Sequence, residues 1–147
     1  MKDFIDKLEV RIAHKWAGAI KRPHETLSGT FPDAYGYILQ EDPTAFLYLN
    51  SNPKGAFPAL TLYLTNDHSL FTQNEFHLIG SITEKYVEGI ENIITYWFYP
   101  NDNPDLYPGK YKVVFGNLTN LGLDVTENWS IAEILNDIES RIKNYNQ

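Results

Sequence analysis

Apolar residues at the start of the chain recur at every fourth position, the spacing of one face of an α-helix. This stripe consists of Phe4, Leu8, Ile12 and Trp16, widened by Ile5 and Ile20. Asp3 is suited to cap the helix, because its carboxylate can accept hydrogen bonds from free backbone N–H groups. The pattern predicts a first helix from about Asp3 to Ala19, and Pro23 prevents any continuation.

Three predicted strands come after the turn-rich residues 23–34, which we expect to form a loop. The strands span Tyr35–Gln40, Ala45–Asn50 and Ala59–Thr65. In the third, leucines alternate with threonine and tyrosine, as in a strand with one buried face. The link that contains Pro43 is short enough for a hairpin, so an antiparallel meander is the simplest topology.

Residues 74–99 allow two interpretations. Apolar side chains recur every three or four positions through the stretch, which favours a helix. Its end, Ile93–Tyr99, consists of β-branched and aromatic residues, which strands prefer. We therefore predict a middle helix to about Asn92 and a strand from there to Tyr99, with one long helix as the alternative.

The remaining pattern predicts a proline-rich loop, a last strand and a last helix. The loop is Pro100–Gly109 and the strand Lys110–Gly116. Ser130 and Glu133 have capping-box spacing, in which each side chain accepts from a free N–H group at the helix start. The apolar face of this helix consists of Ile131, Ile134, Leu135, Ile138 and Ile142.

These elements predict a single α+β domain over residues 1–147. The expected architecture has two layers, with an antiparallel sheet of about five strands packed on the helices. A three-stranded meander and two later strands would form the sheet, against the N-terminal, middle and C-terminal helices. Trp16 and Trp97 fall on apolar positions and are expected in the core.

The composition excludes several kinds of chemistry. The chain has no cysteine, so it has no disulfide, thiolate zinc site or cysteine nucleophile. It also lacks the glycine-rich phosphate loops and the GxSxG motif. No two of the four histidines have the spacing that binds a metal on one helix. We assign no catalytic residue, metal or cofactor from the sequence.

The charge distribution indicates the class of partner. The formal net charge is −7, and residues 23–109 carry eleven acidic side chains against two basic ones. Such a surface repels the phosphates of duplex nucleic acid and attracts a basic protein. No window is apolar enough for a membrane span or a signal peptide, so we expect a cytoplasmic protein without membrane contact.

Two groups of residues are candidates for partner binding. Glu84, Glu88 and Glu91 fall on one face of the predicted middle helix. Like charges at this spacing destabilise a helix by a few tenths of a kcal/mol, so its own stability does not explain them. The second group lies in the proline-rich loop, where tyrosine offers a large contact area beside acidic side chains. It consists of Asp102, Asp105 and Tyr107.

The sequence therefore favours a non-enzymatic protein-binding module that neutralises or escorts a partner. An immunity-type inhibitor of a basic toxin, such as a nuclease, fits the acidic charge. The predicted order of elements is similar to that of small acidic dimeric secretion chaperones, so a chaperone and a homodimer are alternatives. A structural subunit of a larger assembly is a third. A small enzyme that uses His68 or the glutamates of the middle helix is the remaining hypothesis.

If the glutamate face binds a basic partner, Glu84→Lys combined with Glu88→Lys should weaken that binding. The melting temperature should change little, because surface substitutions away from the core usually alter the free energy of unfolding by less than about 0.5 kcal/mol. Affinity for the partner and thermal unfolding are the two measurements. Unchanged affinity would exclude the acidic face as the contact.

Overall fold

The computed structural model describes residues 2–26, 29–41, 44–50, 58–66, 92–100, 103, 105–117 and 125–145. These residues form two helices and seven strands in one antiparallel sheet, in which each strand pairs with its neighbour in sequence. The elements are α1 (Lys2–Lys15), β1 (Ile20–Thr26), β2 (Gly29–Glu41), β3 (Thr44–Asn50), β4 (Ala59–Thr65), β5 (Asn92–Tyr99), β6 (Tyr111–Asn117), β7 (Val125–Trp129) and α2 (Ile131–Asn144). The α+β class and the meander are confirmed.

Both helices pack on one face of this sheet, which we call the first face. The predicted stripe of α1 is buried at Phe4, Leu8 and Ile12, and α2 buries the four apolar residues from Ile134 to Ile142. They cover the alternate residues of the central strands, such as the leucines of β4. Neither helix is long and apolar enough to cross a membrane.

The first helix is shorter than predicted. It ends at Lys15 rather than Ala19, and the N–H group of Ala19 donates to the carbonyl of Trp16 at 2.9 Å, which closes a turn. Ile20, which was expected to widen the helical stripe, starts β1 instead. Trp16 is partly buried against the core.

The prediction of a loop at residues 23–34 was wrong, because β1 and the start of β2 occupy most of this stretch. The pairing register of the two strands shifts between Pro23 and His24. Residues 32–34 of β2 consequently have no partner on β1. Since proline cannot donate to a ladder, it is tolerated at such a shift and in an edge strand.

Strand β4 is buried on both faces, whereas its alternating pattern predicted one buried face. Thr61, Tyr63 and Thr65 lie on the second face of the sheet, opposite the leucines, and all three are buried. The hydroxyl groups of Thr61 and Thr95 share a hydrogen bond of 3.2 Å across β4 and β5. Burial raises the pKa of Tyr63, and nearby Tyr48 raises it further. The threonine and tyrosine side chains of β4 therefore belong to the interior of the protein.

Strand β5 settles part of the ambiguity over residues 74–99. The predicted strand to Tyr99 is confirmed, so one long helix through this end is excluded. The predicted middle helix lies outside the described residues. Strand β6 and helix α2 also agree with the predictions, and the capping box is formed: Glu133 N–H donates to Ser130 Oγ, and Ser130 N–H donates to Glu133 Oε1, both at 3.3 Å. Strand β7 was not predicted.

A polar cluster joins α2 to the sheet. The Tyr96 hydroxyl donates to Asp137 Oδ2 at 2.5 Å, and Arg141 Nε donates to the same oxygen at 2.8 Å. The Arg141 guanidinium also lies 5.7 Å from the ring centre of Phe115. Burial, and then the bond to Asp137, raise the pKa of Tyr96, because both favour the neutral phenol. The cluster therefore holds α2 at one position along β5.

Tyr96→Phe should lower the free energy of unfolding by about 1–3 kcal/mol, because it removes the buried hydrogen bond to Asp137. Asp137 keeps its hydrogen bond from Arg141. Urea unfolding at neutral pH measures this loss. Tyr111→Phe is the matched control, since the Tyr111 ring packs on Phe4 and its hydroxyl has no hydrogen bond in the described structure. A loss as large in the control would contradict the assignment.

The same substitution should change the alkaline limit of stability. Because folding raises the pKa of Tyr96, its stabilisation is complete below the ordinary tyrosine pKa of 10.0 and is lost as pH rises above that value. Unfolding free energies should therefore fall less steeply above pH 10 in Tyr96→Phe than in the wild type. The contributions of Tyr63 and Tyr48 remain in both proteins.

Candidate functional site

The second face of the sheet is buried at its centre and becomes exposed toward β7. Phe46 on β3 and Ile93 on β5 are 1% exposed, whereas Trp97, four residues further along β5, is 39% exposed. The expectation that Trp97 belongs to the core was therefore wrong. Its neighbours Tyr96 and Phe98 point to the first face and are fully buried.

Pairing across the strands places Trp97 in a row of accessible side chains. Trp97 on β5 pairs with Val114 on β6, which pairs with Thr126 on β7. The adjacent row is Tyr99, Lys112 and Asn128. We call these six residues the β5–β7 surface. They are exposed or half-buried, so they form a continuous accessible area.

A cation–π contact orders part of this surface. Lys112 Nζ lies 6.0 Å from the centre of the Tyr99 ring. Such a contact is worth about 0.5–1 kcal/mol at an exposed site, and it keeps the lysine stem along the ring. The surface therefore presents aromatic area with one cation beside it.

Residues 103 and 105–110, between β5 and β6, form a compact turn at one end of this surface. The N–H groups of Leu106 and Tyr107 both donate to the carbonyl of Asn103, at 3.1 and 3.0 Å. Gly109 closes the turn with a φ of 71°, in the left-handed region. Leu106 is 67% exposed at the turn. Backbone bonds thus fix how the loop presents its side chains.

The structure brings together two of the predicted partner-binding residues. Asp105 is exposed and Tyr107 half-buried within this turn. The other four, Glu84, Glu88, Glu91 and Asp102, lie outside the described residues. Sequence reasoning did not assign Trp97, Leu106 or Lys112 to the site. Their signal is weak, because β5 is apolar on both faces and its pattern does not show which face is covered.

The base of the turn is attached to α2. Lys110 Nζ lies 3.1 Å from Glu133 Oε1, the carboxylate of the capping box. Partial desolvation opposes ionisation of Glu133, but hydrogen bonds from Lys110 and Ser130 outweigh it and lower its pKa. The attachment connects the loop to the start of the helix.

A separate groove lies between α1 and the β2 side of the sheet. Its volume is about 260 Å³, and Tyr37 donates to Glu9 Oε1 at 3.2 Å in its wall. Val10, Ala13 and Ala19 complete a mostly apolar lining. The groove is smaller than the 300–1,000 Å³ typical of ligand pockets.

The part of the chain that the structure describes contains no group of side chains that could bind a metal ion. There, no three histidine or carboxylate side chains lie close enough to hold an ion. His68, proposed for acid–base work, is outside the described ranges. Within the described residues, the β5–β7 surface and the adjoining turn bring accessible aromatic side chains close to two of the predicted partner-binding residues, Asp105 and Tyr107.

Comparisons with known proteins give no match to this chain among family models, characterised proteins or solved structures. Its function is therefore argued from the surface itself.

Replacing Gly109 tests whether the turn has the described conformation. Gly109→Ala should destabilise the protein by about 1–2 kcal/mol, because a side chain disfavours the left-handed region, while no atom within 4 Å would clash with the new methyl group. Gly18→Ala is the matched control, since Gly18 also has open space but no positive φ. Urea unfolding of both variants measures the difference. Equal effects would contradict the left-handed turn.

Proposed function

We propose that this chain is a non-enzymatic protein-binding module that contacts its partner through the β5–β7 surface and the adjoining loop. The exposure of Trp97 carries the proposal. Tryptophan is among the most buried residue types on average, and tryptophan and tyrosine supply a large share of binding energy in protein interfaces. An accessible tryptophan in a strand that is paired on both sides, with Tyr99 on the same face, has the composition of an interface centre.

The surroundings of Trp97 support this assignment. Val114 and Thr126 flank it on neighbouring strands, and the fixed backbone of the sheet holds all three in one row. Residues on a rigid sheet lose little conformational freedom on binding, which favours affinity. Leu106, also exposed, extends the apolar contact toward the loop.

The overall charge supports a basic partner. A protein with a net charge of −7 attracts a cationic molecule and accelerates its association. The β5–β7 surface itself carries Lys112, with Asp105 in the loop, so its local charge is mixed. In this proposal, charge governs the encounter rate and aromatic contacts govern dissociation.

An immunity-type inhibitor of a basic toxin, such as a nuclease, is the form of this function that we favour. Neutralising a toxin requires fast capture and a long-lived complex, which steering and a tryptophan-centred contact would supply. The chaperone alternative rested on a predicted order in which three strands follow the first helix. Four strands follow it before residue 67, so that analogy gives no support.

The test begins with capture of the partner by the tagged protein and its identification by mass spectrometry. The affinity of purified partner is then compared for the wild type and Trp97→Thr, a substitution that preserves strand propensity. We expect the Kd to rise by about 10–100-fold, in the range of interface hot spots. Val10→Ala, which removes apolar area from an exposed residue of α1, is the control and should leave the Kd unchanged.

Thermal unfolding of both variants checks that the fold is intact. If Trp97→Thr remains folded and binds as tightly as the wild type, the β5–β7 surface is not the contact. If the captured partner is acidic, or binds more tightly as salt concentration rises, the steering part of the proposal fails.

A further inference from the structure

The two edges of the sheet differ in their ability to accept another strand. In the described structure the edges are β1 and β7. Strand β1 contains Pro23, which has no N–H group, and its register is interrupted there. Strand β7 contains no proline and pairs with β6 over five consecutive residues without a shift. Proline and irregularity protect sheet edges against pairing, so β1 is protected by both and β7 by neither.

Strand β7 is also accessible. Val125, Thr126 and Glu127 are exposed, and Val125 is 41% exposed. An edge strand directs about half of its backbone N–H and C=O groups away from the sheet. An extended segment of another protein can satisfy these groups by adding a strand. The accessible part of β7 thus offers backbone N–H and C=O groups, together with exposed side chains, to an added strand.

The register shows which side chains a new strand would meet. Thr126 and Asn128 pair with Val114 and Lys112, so an added strand would widen the β5–β7 surface. On the first face, Glu127 pairs with Val113. Side chains directly opposite each other interact, and opposite charges there are favourable. A lysine or arginine would therefore suit the position opposite Glu127, which has no ion pair within the described residues.

We propose that β7 is a strand-addition site for an extended, basic segment of the partner protein, with a cationic side chain opposite Glu127. This proposal rests on the protein-binding function and specifies how part of the partner is held. A second copy of the chain is the less suitable occupant, because each copy carries a net charge of −7 and the two would repel each other. The basic segment has the complementary charge.

A peptide titration tests the site without knowledge of the partner. The probes are a seven-residue peptide of alternating threonine and lysine and the same peptide with glutamate in place of lysine. Amide shifts of the isotope-labelled protein are followed by NMR. We expect the lysine peptide to shift the amides of residues 125–129 at millimolar concentration, with at least a threefold preference over the glutamate peptide.

Charge reversal at the edge provides the control. Glu127→Lys leaves the protein with a net negative charge, so general attraction to the lysine peptide would persist in this variant. If Glu127 recognises the segment, the preference should instead reverse toward the glutamate peptide. A lysine peptide in which one interior residue is proline should bind more weakly, because it cannot complete the ladder.

Three outcomes would overturn the proposal. The first is the absence of shifts in β7 with either peptide, and the second is binding without a change of preference in Glu127→Lys. The third is a dimer, measured by light scattering, that pairs through β7. Each is distinct from failure of the proposed function, which is decided by the effect of Trp97→Thr on partner affinity.

Discussion

The burial of β4 on both faces is the constraint on which the arrangement of the chain depends. As the fourth of seven strands it lies at the centre of the sheet, and all seven of its residues are buried. Its leucines require the cover that α1 and α2 provide. Its threonine and tyrosine residues make the centre of the second face part of the interior as well. The accessible part of that face is displaced toward β5, β6 and β7, where Trp97 lies.

Helical periodicity in the sequence predicted α1 and α2, because their apolar residues face one side only. The alternation of leucine with threonine and tyrosine likewise predicted β4, because successive side chains of a strand point to opposite faces of the sheet. The hairpin of β1 and β2 could not be found in this way, since prolines in its sequence indicate turns. Pro32 falls among the residues of β2 without a partner on β1, where its missing N–H group costs no ladder bond. The pairing of β1 with β2 thus overrides the preference of proline for turns, a preference that holds in most sequences.

The site was only partly predictable for a different physical reason. Asp105 and Tyr107 were assigned to the candidate site from loop composition, which is a local property, and the structure shows only where they lie. Whether Trp97 is covered depends on which elements pack over its face, and the sequence of a strand with apolar residues on both faces does not show this. The five residues of β7 are mostly polar, so their strand character comes from pairing with β6 rather than from their own pattern.

The contact between the two helices has a consequence for synthesis of the protein. Lys15 at the end of α1 donates to Asn136 Oδ1 of α2 at 3.0 Å, across 121 positions of sequence. Its Nζ also lies 3.5 Å from Glu139 Oε2. A short hairpin such as β2–β3, with two residues between its strands, can pair soon after it leaves the ribosome. The part of the first face that α2 covers stays open until α2 has emerged from the ribosome, so the nascent chain exposes part of its apolar core during most of its translation. Ribosome stalling before residue 131 would therefore produce a species prone to aggregation and dependent on chaperones.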